Sequence, residues 1–172
     1  MPRSKTPAPT KLSRSLHAGL GKVRMLAMDV DGVLTDAGMY YSESGDELKK
    51  FHTRDGMGIK MLQAAGIITA FITKENTAIV ERRGKKLAVP EVHQGVDDKL
   101  TDLTRLVRKH GLTLAQVAYI GDDVNDLEVL KAVGFSAAPA DAMPIVIQAV
   151  HHVCAKKGGE GAVRELTDLI LA

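Results

Sequence analysis

The sequence predicts an α/β fold built on a doubly wound, mostly parallel sheet. Three observations carry that prediction. Short apolar runs alternate with helical periods of about ten residues, the rhythm of right-handed βαβ units. The run at 67–72 is almost wholly apolar, as a strand buried on both faces is. The 172 residues, 45% hydrophobic and 26% charged, suffice for one core without disulfide or metal staples.

The elements follow in order. Residues 23–28 form the first strand, ending at acids. Residues 39–41 and 47–51 flank Ser42-Glu43-Ser44-Gly45-Asp46, a hairpin with a glycine-containing loop. Residues 58–65 form a helix through Ile59, Met61, Leu62 and Ala65, stopped by Gly66. Strand 67–72 leads to helix 76–87, strand 91–93 and helix 99–110, which Gly111 closes. Strand 117–120 leads to helix 126–133, stopped by Gly134. Strand 135–137, helix 145–149, strand 152–154 and helix 163–171 complete the chain.

The charge is uneven. Arg3, Lys5, Lys11, Arg14 and Lys22 stand in residues 1–22 with no acid. That leaves 18 of the 23 basic residues against all 21 acidic ones, so the body is slightly acidic and nucleic acid is not an expected partner. We divide the chain into a basic tail at 1–22 and one domain at 23–172. Leu12, Leu16 and Leu20, at spacing four, mark a short helix in the tail. No apolar run approaches the roughly 20 residues of a membrane span, and the tail lacks the apolar stretch of a secretory signal. Cys154 is the only cysteine, which excludes an internal disulfide and paired-cysteine metal sites; a reducing cytoplasm is the expected setting. The six histidines show no metal-ligand spacing, and adjacent His151 and His152 on a strand face opposite sides.

In an open parallel sheet the ligand sits outside the carboxyl ends of the strands. The first strand ends in Asp29-Val30-Asp31-Gly32, and alternation puts Asp29 and Asp31 on one side. Two carboxylates so close repel unless a cation or a shared proton relieves them. Strand 67–72 ends in Thr73, and strand 117–120 in Gly121-Asp122-Asp123 with Asp126 one turn on. Lys99 opens a helix, where a cation opposes the dipole unless it points at an anion. Taken singly these are solvated turn acids, an N-cap and dipole-facing acids. Together, four carboxylates with a lysine and a hydroxyl on one rim suit a hard cation. Mg²⁺ fits, since it takes one or two carboxylates plus a substrate phosphate. One carboxylate can then attack phosphorus while its neighbour moves the proton.

At these residues the sequence resembles the haloacid dehalogenase (HAD) superfamily. Its four motifs match Asp29-Val30-Asp31-Gly32-Val33-Leu34-Thr35-Asp36, Thr73, Lys99 and Gly121-Asp122-Asp123-Val124-Asn125-Asp126, in order. The hairpin, Phe51-His52-Thr53-Arg54-Asp55-Gly56, His93-Gln94-Gly95 and Gly158-Gly159-Glu160-Gly161-Ala162-Val163-Arg164-Glu165 narrow the resemblance. They are similar to the 3-deoxy-D-manno-octulosonate 8-phosphate (KDO 8-phosphate) phosphatase family, over about residues 23–171. That resemblance implies a capless, homotetrameric phosphatase of an eight-carbon keto sugar acid phosphate, with relatives acting on KDN 9-phosphate or N-acylneuraminate 9-phosphate.

The resemblance also implies roles. Asp29 would be the nucleophile that forms an aspartyl-phosphate, and Asp31 the general acid/base that lends its backbone carbonyl to Mg²⁺. Asp122 would complete the metal site, with Asp123 and Asp126 behind it. Thr73 and Lys99 would bind the phosphoryl group, and Lys74, beside Thr73, is a further candidate phosphate or substrate contact. The spacing leaves no room for a cap: 41 residues separate Asp31 from Thr73 and hold only a hairpin and a helix, and 25 separate Thr73 from Lys99.

The substrate signals conflict. The second motif reads Thr73-Lys74-Glu75, where the eight-carbon enzymes carry Thr-Gly-Arg. Glu75 with Lys86 resembles the nine-carbon relatives, whereas Arg54 resembles the eight-carbon ones. Each also has a plain reading: Arg54 pairs with Asp55 at a helix start, and Glu75 and Lys86 are surface charges. Arg164, after a glycine-rich segment, is expected to reach a neighbouring subunit's site, that segment being flexible enough to carry it. One of Tyr40 and Tyr41 is expected to face out from the hairpin toward a partner. Two other functions compete. A phosphoacceptor receiver domain would carry an adjacent acid pair after its first strand, and this chain has Asp-x-Asp-Gly. A HAD-like binding or regulatory module would need no catalysis, yet all the catalytic residue types are present.

Overall fold

The chain runs through β1 (Met25–Met28), β2 (Tyr40–Tyr41), β3 (Glu47–Leu48), α1 (Thr53–Ala64), β4 (Ile68–Ile72), α2 (Ala78–Leu87), β5 (Glu91–His93) and α3 (Lys99–Lys109). It continues through β6 (Val117–Ile120), α4 (Leu127–Ala132), β7 (Phe135–Ala138), α5 (Pro144–Ile147), β8 (His152–Val153) and α6 (Ala162–Leu171). These elements come from a computed structural model that describes residues 19–45 and 47–172. Leu12 and Leu16 of the expected tail helix lie outside the described residues.

Six strands form one sheet in the order β5-β4-β1-β6-β7-β8, and every neighbouring pair is parallel. The chain winds outward from β1 through β4 to β5, then returns across β1 to β6, β7 and β8. The winding direction therefore reverses beside β1, which makes the ends of β1, β4 and β6 the place for a ligand. Met28 pairs with both Phe71 and Ile120, so the residues leaving these three strands emerge at one level.

Both faces are covered, which is why the strands read as unbroken apolar runs. Leu26, Met28, Phe71 and Ile120 pack on one side with Ile59 and Leu62 of α1, Val80 of α2 and Leu166 of α6. Met25, Ala27, Ile72 and Tyr119 pack on the other with Leu103 and Leu106 of α3 and Leu130 of α4. Caps fix the two helices that follow β4 and β5. The Thr77 hydroxyl accepts the Val80 amide at 3.4 Å, and Asp98 accepts the Thr101 amide at 2.9 Å.

Several boundaries differ from the sequence reading. Helix α1 begins at Thr53, five residues before the apolar period does. Its first turn is held from outside: Asp55, fully buried, accepts the Arg164 amide of α6 at 2.8 Å. The missing side chain of Gly58 lets α6 lie close, since a Cβ there would stand 2.8 Å from the Thr167 hydroxyl. The helix expected at 126–133 is a 3₁₀ turn, Val124–Asp126, followed by α4. The core also takes in Leu20 from the expected tail.

Between β1 and β4 stand only the hairpin and α1, so no cap domain covers the strand ends. The hairpin strands are two residues each, with Tyr40 opposite Leu48, and a bridge between Thr35 and Phe51 closes their base. Both tyrosines are exposed, not one, together with Met39 and Leu48. Among the described residues, these four side chains keep about half or more of their surface in contact with solvent. Among the described residues no helix is long and apolar enough to cross a membrane.

Candidate active site

Asp29 is the first residue beyond β1. Its backbone amide continues the ladder to the Ile120 carbonyl at 3.0 Å, which fixes its position, and its side chain is 7% exposed. One oxygen, Oδ1, accepts the Val30 amide at 2.7 Å, and Oδ2 faces the Lys99 ammonium at 3.0 Å. Lys99 opens α3, and its buried side chain also reaches Oδ1 of Asp126 at 2.7 Å. The odd first-turn lysine thus points at two carboxylates.

Asp126 is completely enclosed and saturated. Oδ1 takes Lys99 and the Tyr119 hydroxyl, both at 2.7 Å, while Oδ2 takes the amides of Asp122 at 3.0 Å and Asp123 at 3.4 Å. It braces the loop after β6. Asp123, exposed beside it, accepts the Val124 amide at 2.6 Å, capping the 3₁₀ turn.

Three carboxylates with one ammonium leave negative charge in excess. Burial, reinforced by the Asp126 charge, pushes Asp29 up to about 7 even though Lys99 pulls it down. Burial, reinforced by Asp29 and Asp126, pushes Asp122 up to about 8. A cation seated among them would reverse both shifts. The donors fit one: oxygens of Asp29, Asp122 and Asp126 lie within 4.8 Å of one another. Asp126 has no lone pair to spare, but Asp122 Oδ1 is buried with no hydrogen-bond partner among the described residues. An all-oxygen set of this kind suits a hard divalent ion. Gly32, at φ +86°, makes the approach possible, because a Cβ there would stand 2.0 Å from Asp122 Oδ2.

The loop after β4 supplies the facing wall. Thr73, 2% exposed, is tied to the loop after β5 by its amide on the His93 carbonyl and by its carbonyl on the Val96 amide, both at 3.0 Å. Gly95 donates to the Glu75 carbonyl at 3.3 Å, and Gln94 accepts the Thr77 amide at 2.9 Å. Asp29, Asp31, Thr73, Lys74, Glu75 and Asp122 thereby line one open cleft of about 240 Å³.

Two residues at this site escape sequence reasoning. Lys49, just past β3, reaches Asp31 Oδ1 at 2.7 Å with its side chain 1% exposed. In Glu47-Leu48-Lys49-Lys50 it reads as a solvated charge, although alternation in the hairpin sets Lys49 and Lys50 on opposite faces. Tyr119 hides within an apolar run, and its hydroxyl is legible only once Asp126 lies beneath the sheet end.

Other expected residues lie elsewhere in a single chain. Arg54 and Arg164 both line a separate cavity of about 480 Å³, with Lys156, Glu160 and Asp168. Lys86, exposed in the last turn of α2, does not line the cleft. The segment 158–161 is not a flexible carrier of Arg164. Gly158 lies so close to the loop after β1 that a Cβ would stand 1.9 Å from the Gly32 carbonyl oxygen. Its amide is tied to Asp141 at 2.9 Å, and the Gly159 amide to the Val33 carbonyl at 3.0 Å. The glycines serve close backbone approach. Arg164 itself sits in α6, its Nε 2.8 Å from Asp168.

This arrangement can be set beside known proteins. The haloacid dehalogenase-like hydrolase family model matches residues 68–166. The KDO 8-phosphate phosphatase KdsC of Yersinia pestis is 44% identical over 149 residues, 87% of this chain and 80% of that protein. The chain belongs to the KDO 8-phosphate phosphatase family of HAD-like hydrolases. Among solved structures of the family, the Moraxella catarrhalis enzyme, in complex with magnesium, phosphate and KDO, superposes with a TM-score of 0.89 at 40% identity, covering 91% of this chain and 90% of that one. The cobalt-bound Haemophilus influenzae enzyme gives 0.86 at 42% identity, covering 89% and 90%. HAD hydrolases of this family thus hold a divalent metal, in agreement with the oxygen donors at Asp29 and Asp122.

Proposed function

We propose that this chain is a Mg²⁺-dependent phosphatase that removes the terminal phosphate of 3-deoxy-D-manno-octulosonate 8-phosphate. The observation that carries the reading is the juxtaposition at the sheet's reversal point. A buried, amide-held carboxylate, Asp29, lies against the Lys99 ammonium and beside an oxygen-only metal set. The names of the relatives support the eight-carbon substrate.

Asp29, the Asp31 carbonyl and Asp122 would hold the ion, which when bound neutralises charge on the phosphoryl oxygens. Asp29 attacks phosphorus, and the bond from phosphorus to the sugar oxygen breaks. Asp31 gives its proton to that oxygen, a contribution of about 10²–10⁴ in rate. Water then attacks the aspartyl-phosphate and loses its proton to Asp31. The bond to Asp29 breaks, and inorganic phosphate leaves. Lys99 and the ion together would hold Asp29 as the anion, and Thr73 and Lys74 face the phosphoryl group. Asp123 and Asp126 brace the loop that carries Asp122.

A second substrate reading rests on Glu75. It lines the cleft and would accept hydrogen bonds from sugar hydroxyls, which favours KDN 9-phosphate or N-acylneuraminate 9-phosphate. Recognition of either sugar would be completed between copies. The exposed Met39, Tyr40, Tyr41 and Leu48 offer a subunit contact. In a homotetramer, Arg54 and Arg164 would cover a neighbour's open cleft.

The test compares kcat/KM on KDO 8-phosphate, KDN 9-phosphate, N-acetylneuraminate 9-phosphate and p-nitrophenyl phosphate, with light scattering on the same sample. KDO 8-phosphate is expected to lead, EDTA to silence turnover and Mg²⁺ to restore it, at a mass of about four times 18.5 kDa. A lead for a nine-carbon ester moves the substrate, full activity in EDTA rejects the metal, and inertness toward all four esters leaves a binding or regulatory module.

A further inference from the structure

Lys49 leaves an exposed hairpin yet keeps only 1% of its side chain in contact with solvent, because it turns back under the ribbon to Asp31. The ammonium lies 2.7 Å from Asp31 Oδ1 and 3.4 Å from Glu47 Oε1. The Thr35 hydroxyl donates to the same Oδ1 at 3.4 Å and is itself held by the Gly32 and Ala37 amides. Thr35 also forms the backbone bridge to Phe51, two residues past Lys49. The other oxygen, Asp31 Oδ2, is buried and has no hydrogen-bond partner among the described residues.

The two oxygens of Asp31 are therefore unequal. One is pinned from the hairpin, and the other is left for chemistry at the cleft that Asp31 lines. We propose that Lys49 is the positioning residue for Asp31, holding the carboxyl through Oδ1 so that Oδ2 meets the departing ester oxygen. This rests on the reading of Asp31 as the acid that protonates the leaving group.

The geometry explains why a lysine is used. An exposed lysine–carboxylate pair is worth little, but here the long stem is covered and the ammonium sits at a fixed end, so it orients its partner. A carboxyl with one oxygen pinned cannot rotate about its last bond, whereas an unpinned one can. Misplacing a reacting group by about 1 Å can cost on the order of 10²-fold in rate. The hairpin is also tied to the chemistry by this contact.

The leaving group provides a test. An alkyl ester departs as a strongly basic alkoxide and needs the proton, whereas p-nitrophenolate departs as a stabilised anion without one. Lys49→Met should therefore lower kcat on KDO 8-phosphate far more than on p-nitrophenyl phosphate, shifting the ratio of the two by about tenfold or more. KM for both should change by less than about threefold, since the phosphate contacts stay in place. Lys49→Arg, which keeps a cation on a long stem, should recover part of the ratio. Lys49→Gln keeps the size and polarity of the chain and replaces Lys49→Met should that variant fail to fold. Equal losses on the two esters, or no loss on either, overturn the proposal and leave the phosphatase reading intact. A wild-type chain inert toward KDO 8-phosphate but active on simpler alkyl phosphates moves the substrate, and the ratio is then read on those esters. Inertness toward every ester removes both.

Discussion

The Lys99 ammonium lies 2.7 Å from Oδ1 of Asp126, with neither side chain reaching solvent. That pair joins the start of α3 to the loop after β6, and through its 3.0 Å contact Lys99 also reaches Asp29. Removing the cation leaves two buried carboxylates with hydrogen bonds but no counter-charge. Lys99→Met should cost about 3–5 kcal/mol. At roughly 2–4 °C per kcal/mol for a chain of this size, the melting temperature falls by on the order of 10 °C, and turnover is lost with it. Calorimetry on the variant checks the first figure.

Asp29→Asn should separate activity from stability. The amide is not a nucleophile, so kcat falls by orders of magnitude. Yet the variant removes a desolvated charge that Asp126 repels, while Lys99 keeps Asp126 as its partner. Its thermal stability in chelator should equal or exceed that of the parent. Retention of most activity, or a melting temperature several degrees lower, contradicts this account.

Gly158→Ala probes the back of the site. The added Cβ meets backbone, the Gly32 carbonyl oxygen at 1.9 Å and its carbon at 2.5 Å, and backbone cannot swing aside as a long side chain can. The loop bearing Asp31 must shift, at an overpacking cost of about 1–3 kcal/mol. We expect kcat to fall at least tenfold, given how steeply rate depends on the placement of reacting groups. An alanine variant with parental kcat would show that the two loops move independently.

The edge strand β5 carries the clearest acid-sensitive contact. Burial alone would raise Glu91, but hydrogen bonds from Lys109, His110 and His93 outweigh it and bring the carboxyl down to about 2 from its ordinary 4.5. A group depressed in the folded state contributes stability above its unfolded value and loses it as pH falls toward the folded one. Glu91→Gln should therefore be less stable than the parent at neutral pH, and the gap should close between about pH 4.5 and 2. Paired denaturant titrations at pH 7, 4 and 2.5 measure it, and a gap independent of pH would contradict the ion-pair account.

The parts of this molecule governed by periodicity were legible in its sequence. β1, β4 and β6 announce themselves as apolar runs ending at Asp29, Thr73 and Asp122, and the reversal beside β1 then brings those ends together. What escaped depends on contacts between distant segments. The first turn of α1 is apolar in no regular way, because Asp55 is held by an amide 109 residues on. Gly158 and Gly159 carry no mark of which backbone they must admit, so they read as a loose linker when they are the tightest approach behind the site. Lys49 belongs to a run of four polar and apolar residues that any exposed hairpin could contain, and only the fold shows where its stem goes. Arg54 and Arg164 resemble substrate contacts in the sequence, and a single chain sets both along a second cavity.

The cleft around Asp29 has a volume of about 240 Å³ and stands open on one side. Sites that enclose a whole small molecule run to about 300–1,000 Å³. On the proposed reading, a chain standing alone would grip the phosphoryl end of its ligand and little beyond it. Its discrimination is for a chemical group and not for a molecule, so a solitary subunit would be a generalist, and the identity of the sugar would be decided by whatever closes over the opening.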